Sequence, residues 1–203
     1  YQGPDIRGRS GDVPMPATAL AEIYNVPKPY FGIRGADIDK QGVVWASMGS
    51  GHIGSFDRRK CKGPLNGPTA TGKHCPEGWT LYPFPGPQLA NVTDSGSAEA
   101  SYYTWVDQHD TFGLGKDVPL ATGNANESLI ALVNGKFVNL RVPYPMGFFT
   151  KWIDGRIDDP DAGWKGRGLF ATYSTRAPFH VEGGKGTTSK VVKFQLRPDP
   201  LAR

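Results

Sequence analysis

Phe31-Gly32-Ile33-Arg34-Gly35-Ala36-Asp37-Ile38-Asp39 runs into the turn residues Lys40-Gln41-Gly42. Then come Val43-Val44-Trp45-Ala46-Ser47-Met48, a Gly-rich turn and Ile53-Gly54-Ser55-Phe56-Asp57. Short runs rich in β-branched and aromatic residues, bounded by glycine turns, read as strands joined in hairpins. Asp37 and Asp39 can bond turn amides ahead of Gly42, whose missing Cβ permits a positive φ. Trp45, Phe56 and Phe170 offer large faces to bury between neighbouring sheets.

The same order of runs recurs. A β-type segment ending in Pro-x-Pro occurs at Ile23-Tyr24-Asn25-Val26-Pro27-Lys28-Pro29. It returns at Leu81-Tyr82-Pro83-Phe84-Pro85-Gly86-Pro87 and at Leu140-Arg141-Val142-Pro143-Tyr144-Pro145. The spacing is about 56 to 60 residues, the length of one small sheet with its loops. The middle copy carries Ser101-Tyr102-Tyr103-Thr104-Trp105-Val106-Asp107, then Ser128 to Val133, Asn134-Gly135 and Lys136 to Leu140. Asn-Gly between two β-rich runs is a strong hairpin signal. Four short strands per repeat predict an all-β chain of antiparallel four-stranded β-propeller blades. About three blades fit, as part of a larger propeller. Residues 1–22 are expected to be an extension or a strand of a preceding blade, and residues 23–203 the blades.

Composition agrees. Of 203 residues, 27 are Gly and 18 are Pro, which disfavours long helices. The 5 Trp, 8 Tyr and 10 Phe argue against a disordered chain. A net charge of +4 with scattered basic residues gives no phosphate-binding stripe, so nucleic acid is not an expected partner. No apolar run approaches the ~20 residues that span a bilayer. The chain opens at Tyr1 without an initiator Met or signal peptide and is expected to be processed or a fragment.

Cys61 and Cys75 lack the spacing of a zinc, haem or thioredoxin motif. A disulfide between them would contribute roughly 3 kcal/mol and place the chain in an oxidising compartment, periplasmic or secreted. Two free thiols are the alternative.

Asp37 to Trp45, then Gly51-His52-Ile53-Gly54-Ser55-Phe56-Asp57 and Leu81 to Pro85, resemble the blade repeat of streptogramin (virginiamycin B) lyase-like propellers. The chain is similar to the C-terminal region of bacterial exported proteins that join such a propeller to a carboxypeptidase-regulatory-like domain. The resemblance implies a propeller fold and export. It also implies metal-assisted elimination, in which His moves a proton beside a metal held by carboxylates.

Gly49 to Gly54 matches G-x-G-x-x-G but leads into a β-like run, so it reads as a hairpin turn and not a dinucleotide site. Asp107, His109 and Asp110 are the candidate catalytic group, with a divalent metal, Mg²⁺ or Ca²⁺, if the chain is an enzyme. His52, His180 and Glu182 are candidates for lining a ligand face. Asp154, Asp158, Asp159 and Asp161 could offer oxygens to a hard cation. Trp152 and Trp164 flank that cluster as a candidate sugar-binding wall. The leading expectation is an exported binding or scaffold module that recognises a small molecule, polysaccharide or protein and joins other blades or subunits. The alternative is a metal-dependent lyase.

Overall fold

A computed structural model describes residues 21–88, 90–92, 96–142, 148–155, 168–173 and 190–195. Its regular structure is antiparallel sheet, with two short 3-10 turns at Arg58–Lys60 and Pro76–Gly78 and no α-helix among the described residues. The first sheet holds β1 (Ile33–Ile38), β2 (Val44–Met48), β3 (His52–Phe56) and β4 (Trp79–Pro83). The second holds β5 (Thr104–Asp107), β6 (Val118–Gly123), β7 (Ser128–Val133) and β8 (Lys136–Arg141). A third contains β9 (Ile153–Asp154), β10 (Leu169–Tyr173) and β11 (Lys190–Phe194). In each sheet, strands that are consecutive in sequence are neighbours in space.

Local chemistry sets these meanders. Asp39 accepts the amides of Gln41 and Val43 at 2.9 Å through Oδ1, and the Trp45 indole N–H at 3.0 Å through Oδ2. One buried carboxylate therefore ties the β1–β2 turn to the strand beyond it. Gly42 sits there at φ 80°, where a side chain would be strained. Asn134 and Gly135, both at positive φ, close the two-residue β7–β8 hairpin expected from their sequence.

The sheets stack face to face. Ile53, Phe84, Ala121, Ile130 and Leu132 form one core between the first and second, flanked by Trp45, Tyr82 and Phe137. Trp105, Phe112, Leu120, Leu129, Phe148, Ile153 and Leu169 form the larger core between the second and third. Each such side chain contributes roughly 1.5–3 kcal/mol by leaving water. A polar seam registers the first two sheets. Ser47 Oγ lies 2.7 Å from Ser101 Oγ and 2.8 Å from Thr104 Oγ1, all three fully buried. Asn124 exchanges two 2.8 Å bonds with the backbone of Thr150, fixing the lead-in to β9 on the second sheet.

The first strand of each sheet lies beside the first strand of the next. β5 packs against β1 and β2 on one side and β9 on the other. Gly35 N–H donates to Tyr102 O at 3.0 Å, and Val106 N–H donates to Asp37 Oδ2 at 2.8 Å, so β1 and β5 run in the same sense. Sequential four-stranded meanders with adjacent first strands are propeller-type blades. Among the described residues the sheets do not close into a ring.

Phe56 does not join the core between the first two sheets. It lies on the other face of the first sheet from Ile53, against Tyr24 at 4.6 Å and Trp79 at 5.0 Å. The expected β-run at Ile23–Val26 is not a strand. It lies as an extended segment, with Asn25 N–H donating to Gly72 O at 2.8 Å. Pro27 and Pro29 follow immediately and have no N–H to continue a ladder. Cys61 and Cys75 form a disulfide, which holds the loop that receives this segment. Residues 156–167 lie outside the described residues.

Candidate functional site

β1, β5 and β9 end around a cleft of about 380 Å³. Its lining includes Asp37 from β1, Trp105 and Val106 from β5, Gln108 and His109 just beyond, and Ile153 and Asp154 from β9. Tyr103 and Gly155 complete it. Two glycines let the strands close around aromatic rings. A Cβ on Gly35 would stand 2.1 Å from the Tyr103 ring, and one on Gly155 would stand 2.6 Å from Trp105. Trp105 is 6% exposed, so the ring is mainly floor, and the polar groups form the rim.

Asp37 was expected to cap its own turn. Instead it bridges sheets, accepting Ile38 N–H through Oδ1 and Val106 N–H through Oδ2, both at 2.8 Å. Gln108 is held in the same way, its Nε2 donating to Ile38 O at 2.8 Å while its carbonyl accepts Lys40 Nζ at 2.7 Å.

The candidate catalytic triplet divides into separate roles. Asp107 is fully buried, and its oxygens accept the amides of His109, Thr111 and Phe112 at 3.2, 2.9 and 3.1 Å. It holds the β5–β6 turn as Asp39 holds the β1–β2 turn. Asp110, at φ 57°, accepts Gly115 N–H at 2.9 Å. His109 is exposed and lines the cleft.

Asp154 lines the cleft as well, from the first strand of the third sheet. His52 opens β3 on the face of the first sheet away from Ile53. It is 7% exposed, with Nδ1 2.8 Å from Ser50 O and its ring edge-on to Tyr30. Burial pushes its pKa below the ordinary imidazole value. Trp152, 36% exposed, lies just before β9 and does not line the cleft. Trp164, His180, Glu182, Asp158, Asp159 and Asp161 fall outside the described residues.

Among the described residues no three His, Cys, Asp or Glu side chains gather as a metal site. The Asp37 and Asp107 oxygens already serve backbone amides, whereas a hard cation wants six to eight free oxygens. The described donor set therefore does not fit a divalent metal.

No protein-family model matches this chain, and no curated protein sequence does. Solved structures do show a likeness. A streptogramin B lyase structure covers 87% of this chain and 44% of its own, at 16% identity and a TM-score of 0.45. Selenomethionine-substituted virginiamycin B lyase from Staphylococcus aureus covers 83% and 42%, at 15% identity and 0.42. A catalytically inactive variant of that lyase, solved with quinupristin, covers 87% and 45%, at 14% identity and 0.43. The chain thus spans less than half the length of each of these lyases. Its blade architecture stands on its own strand order and on the adjacency of β1, β5 and β9.

Asp37, Tyr103, Trp105 and Gln108 are polar and aromatic cleft residues that sequence reasoning missed. A partial signal was present. An apolar–Asp pair ends each first strand, at Ile38-Asp39, Val106-Asp107 and Ile153-Asp154. Asp37 stands immediately ahead of the first pair, two residues before Asp39, in the position left over once the turn carboxylate is assigned.

Proposed function

We propose that this chain is an exported β-propeller-type binding module that takes a glycan segment in the cleft between β1, β5 and β9. The observation that carries this reading is the cleft's composition. Asp37, Gln108, His109 and Asp154 surround a floor of Tyr103 and Trp105. A sugar ring offers hydroxyls to such a rim and C–H faces to such a floor. The Cys61–Cys75 disulfide supports an oxidising compartment, periplasmic or secreted. Ile33 and Ile38 on β1 are 47% and 46% exposed, a strip that a further blade or subunit would cover.

The test is a panel of neutral and acidic oligosaccharides titrated calorimetrically into the intact chain and into His109→Ala. The His109 side chain is exposed, so the variant keeps the fold. A saturable ligand whose affinity drops in His109→Ala is the expected result; no binding across the panel would retire this reading.

The lyase is the second reading, favoured by one observation: the exposed His109 imidazole lines the same cleft. It requires ring opening of a streptogramin B, lost in His109→Ala. No turnover leaves the binding module.

A further inference from the structure

The cleft takes Asp37 from the end of β1, while the start of β1 and the residues just ahead of β5 and β9 carry a different set of groups. Arg34 on β1 donates from Nη1 to Ser101 O at 2.7 Å, and its Cζ stands 4.3 Å from the centre of the Tyr102 ring. Lys151, just before β9, places Nζ 5.4 Å from the same ring. Phe149 packs beside that ring, at 5.7 Å between centroids. Each of three successive sheets, at or just before its first strand, thus supplies one member of a cation–aromatic–cation group.

Neither Arg34 nor Lys151 has a carboxylate partner among the described residues. Both side chains are exposed, while Tyr102 beneath them is half-buried. Cations stacked on a tyrosine face gain modest stability from the ring and keep their charge outward. The Arg34 guanidinium is also oriented by Ser101 O. Of its five N–H donors, one is engaged there and the rest remain for a ligand. An anchored guanidinium loses little freedom when it pairs with a planar oxyanion.

Arg34 precedes Asp37 by three residues, and Lys151 precedes Asp154 by three. Along both segments the cation comes first and the cleft carboxylate follows. The bundle of first strands is therefore polarised along its length.

We propose that Arg34, Tyr102 and Lys151 form an oxyanion-binding site, distinct from the cleft lining, at the start of β1 and just ahead of β5 and β9. Its ligand carries a carboxylate or phosphate group, either as a free anion or as part of an acidic glycan. The guanidinium takes the oxygens through paired N–H donors, Lys151 adds a second positive charge, and the Tyr102–Phe149 surface receives the attached apolar body.

The test is calorimetric titration of the intact chain at low salt with inorganic phosphate, tri-galacturonate and the neutral methyl ester of that trimer. Lys151→Ala, Arg34→Gln and the double variant are titrated alongside. The exposed Lys151 can be removed without disturbing the fold, so a misfolded Arg34 variant does not leave the question open. Binding of either anion, weakened on the order of tenfold in the double variant and by added NaCl, is the expected result. The trimer binding more tightly than phosphate would assign the group to an acidic glycan, and the reverse order to a free anion. The proposal is overturned if neither anion binds, if Lys151→Ala binds like the wild type, or if the ester binds as well as the acid.

Discussion

The Asp37 carboxylate on β1 accepts a 2.8 Å hydrogen bond from the backbone N–H of Val106 on β5, 69 residues away in sequence. β5 is the edge of its own sheet, so this amide takes its partner from the neighbouring sheet. Val106 is 1% exposed, and water cannot easily replace that oxygen. Asp37→Ala should therefore destabilise the protein by about 1–3 kcal/mol. Asp37→Asn keeps an acceptor and should cost less. Urea denaturation checks both, and an alanine variant as stable as the wild type would remove the stitch from the energetics.

Gly155 has no room for a side chain, since its Cβ would stand 2.6 Å from the Trp105 ring. Gly155→Ala should cost about 1–3 kcal/mol by overpacking. Trp105→Leu should cost less in that background than in the wild type, because the clash goes with the ring. A double-mutant cycle reads the coupling. Strictly additive losses would mean that the two sites do not press on each other.

Cys61 and Cys75, separated by 14 positions, close the loop that carries Gly72 and His74. Gly72 O accepts Asn25 N–H, and Tyr24 packs on His74 at 5.1 Å. Reducing the bond should cost about 3 kcal/mol. It should also speed hydrogen exchange at the Asn25 amide. Alkylation without reductant should label no thiol; labelling of both cysteines would refute the bond.

Glu99 is 8% exposed, and its Oε1 accepts Ala100 N–H at 2.8 Å and Ala125 N–H at 2.7 Å. Burial pushes its pKa above the ordinary carboxylate value, and the amide bonds only partly oppose that. A raised folded pKa means that the folded chain holds the proton more tightly than the unfolded one. This contribution is then greatest below the unfolded value of about 4.3 and is lost as pH rises through the folded one. Glu99→Gln keeps Oε1 and cannot ionise. The variant should gain stability relative to the wild type as pH rises from about 4 to 7. A difference that stays flat across that range would show that burial does not strain the carboxylate.

The strands and hairpins were legible because their signals are local. Asn134-Gly135 marks its own turn, Asp39 bonds amides two and four residues on, and the Gly-bounded apolar runs alternate with the period of a strand. The disulfide was legible from the absence of any other motif around Cys61 and Cys75. Ile23–Val26 misled for a local reason too: it is β-rich, but prolines two residues apart deny it a ladder.

The sequence alone determined which segments pair within each sheet. Adjacency of β1, β5 and β9 decided the rest, joining residues about fifty to seventy positions apart. Within Asp107-Gln108-His109-Asp110, neighbouring side chains take opposite duties. Asp107 turns inward to bond amides, while His109 meets Asp37 and Asp154 around one cleft. The same packing turns Asp37 from a turn residue into a bridge and sets Arg34 and Lys151 on one tyrosine ring. Spacing along the chain records none of this, because a side chain's partner across two sheets depends on how the blades stack.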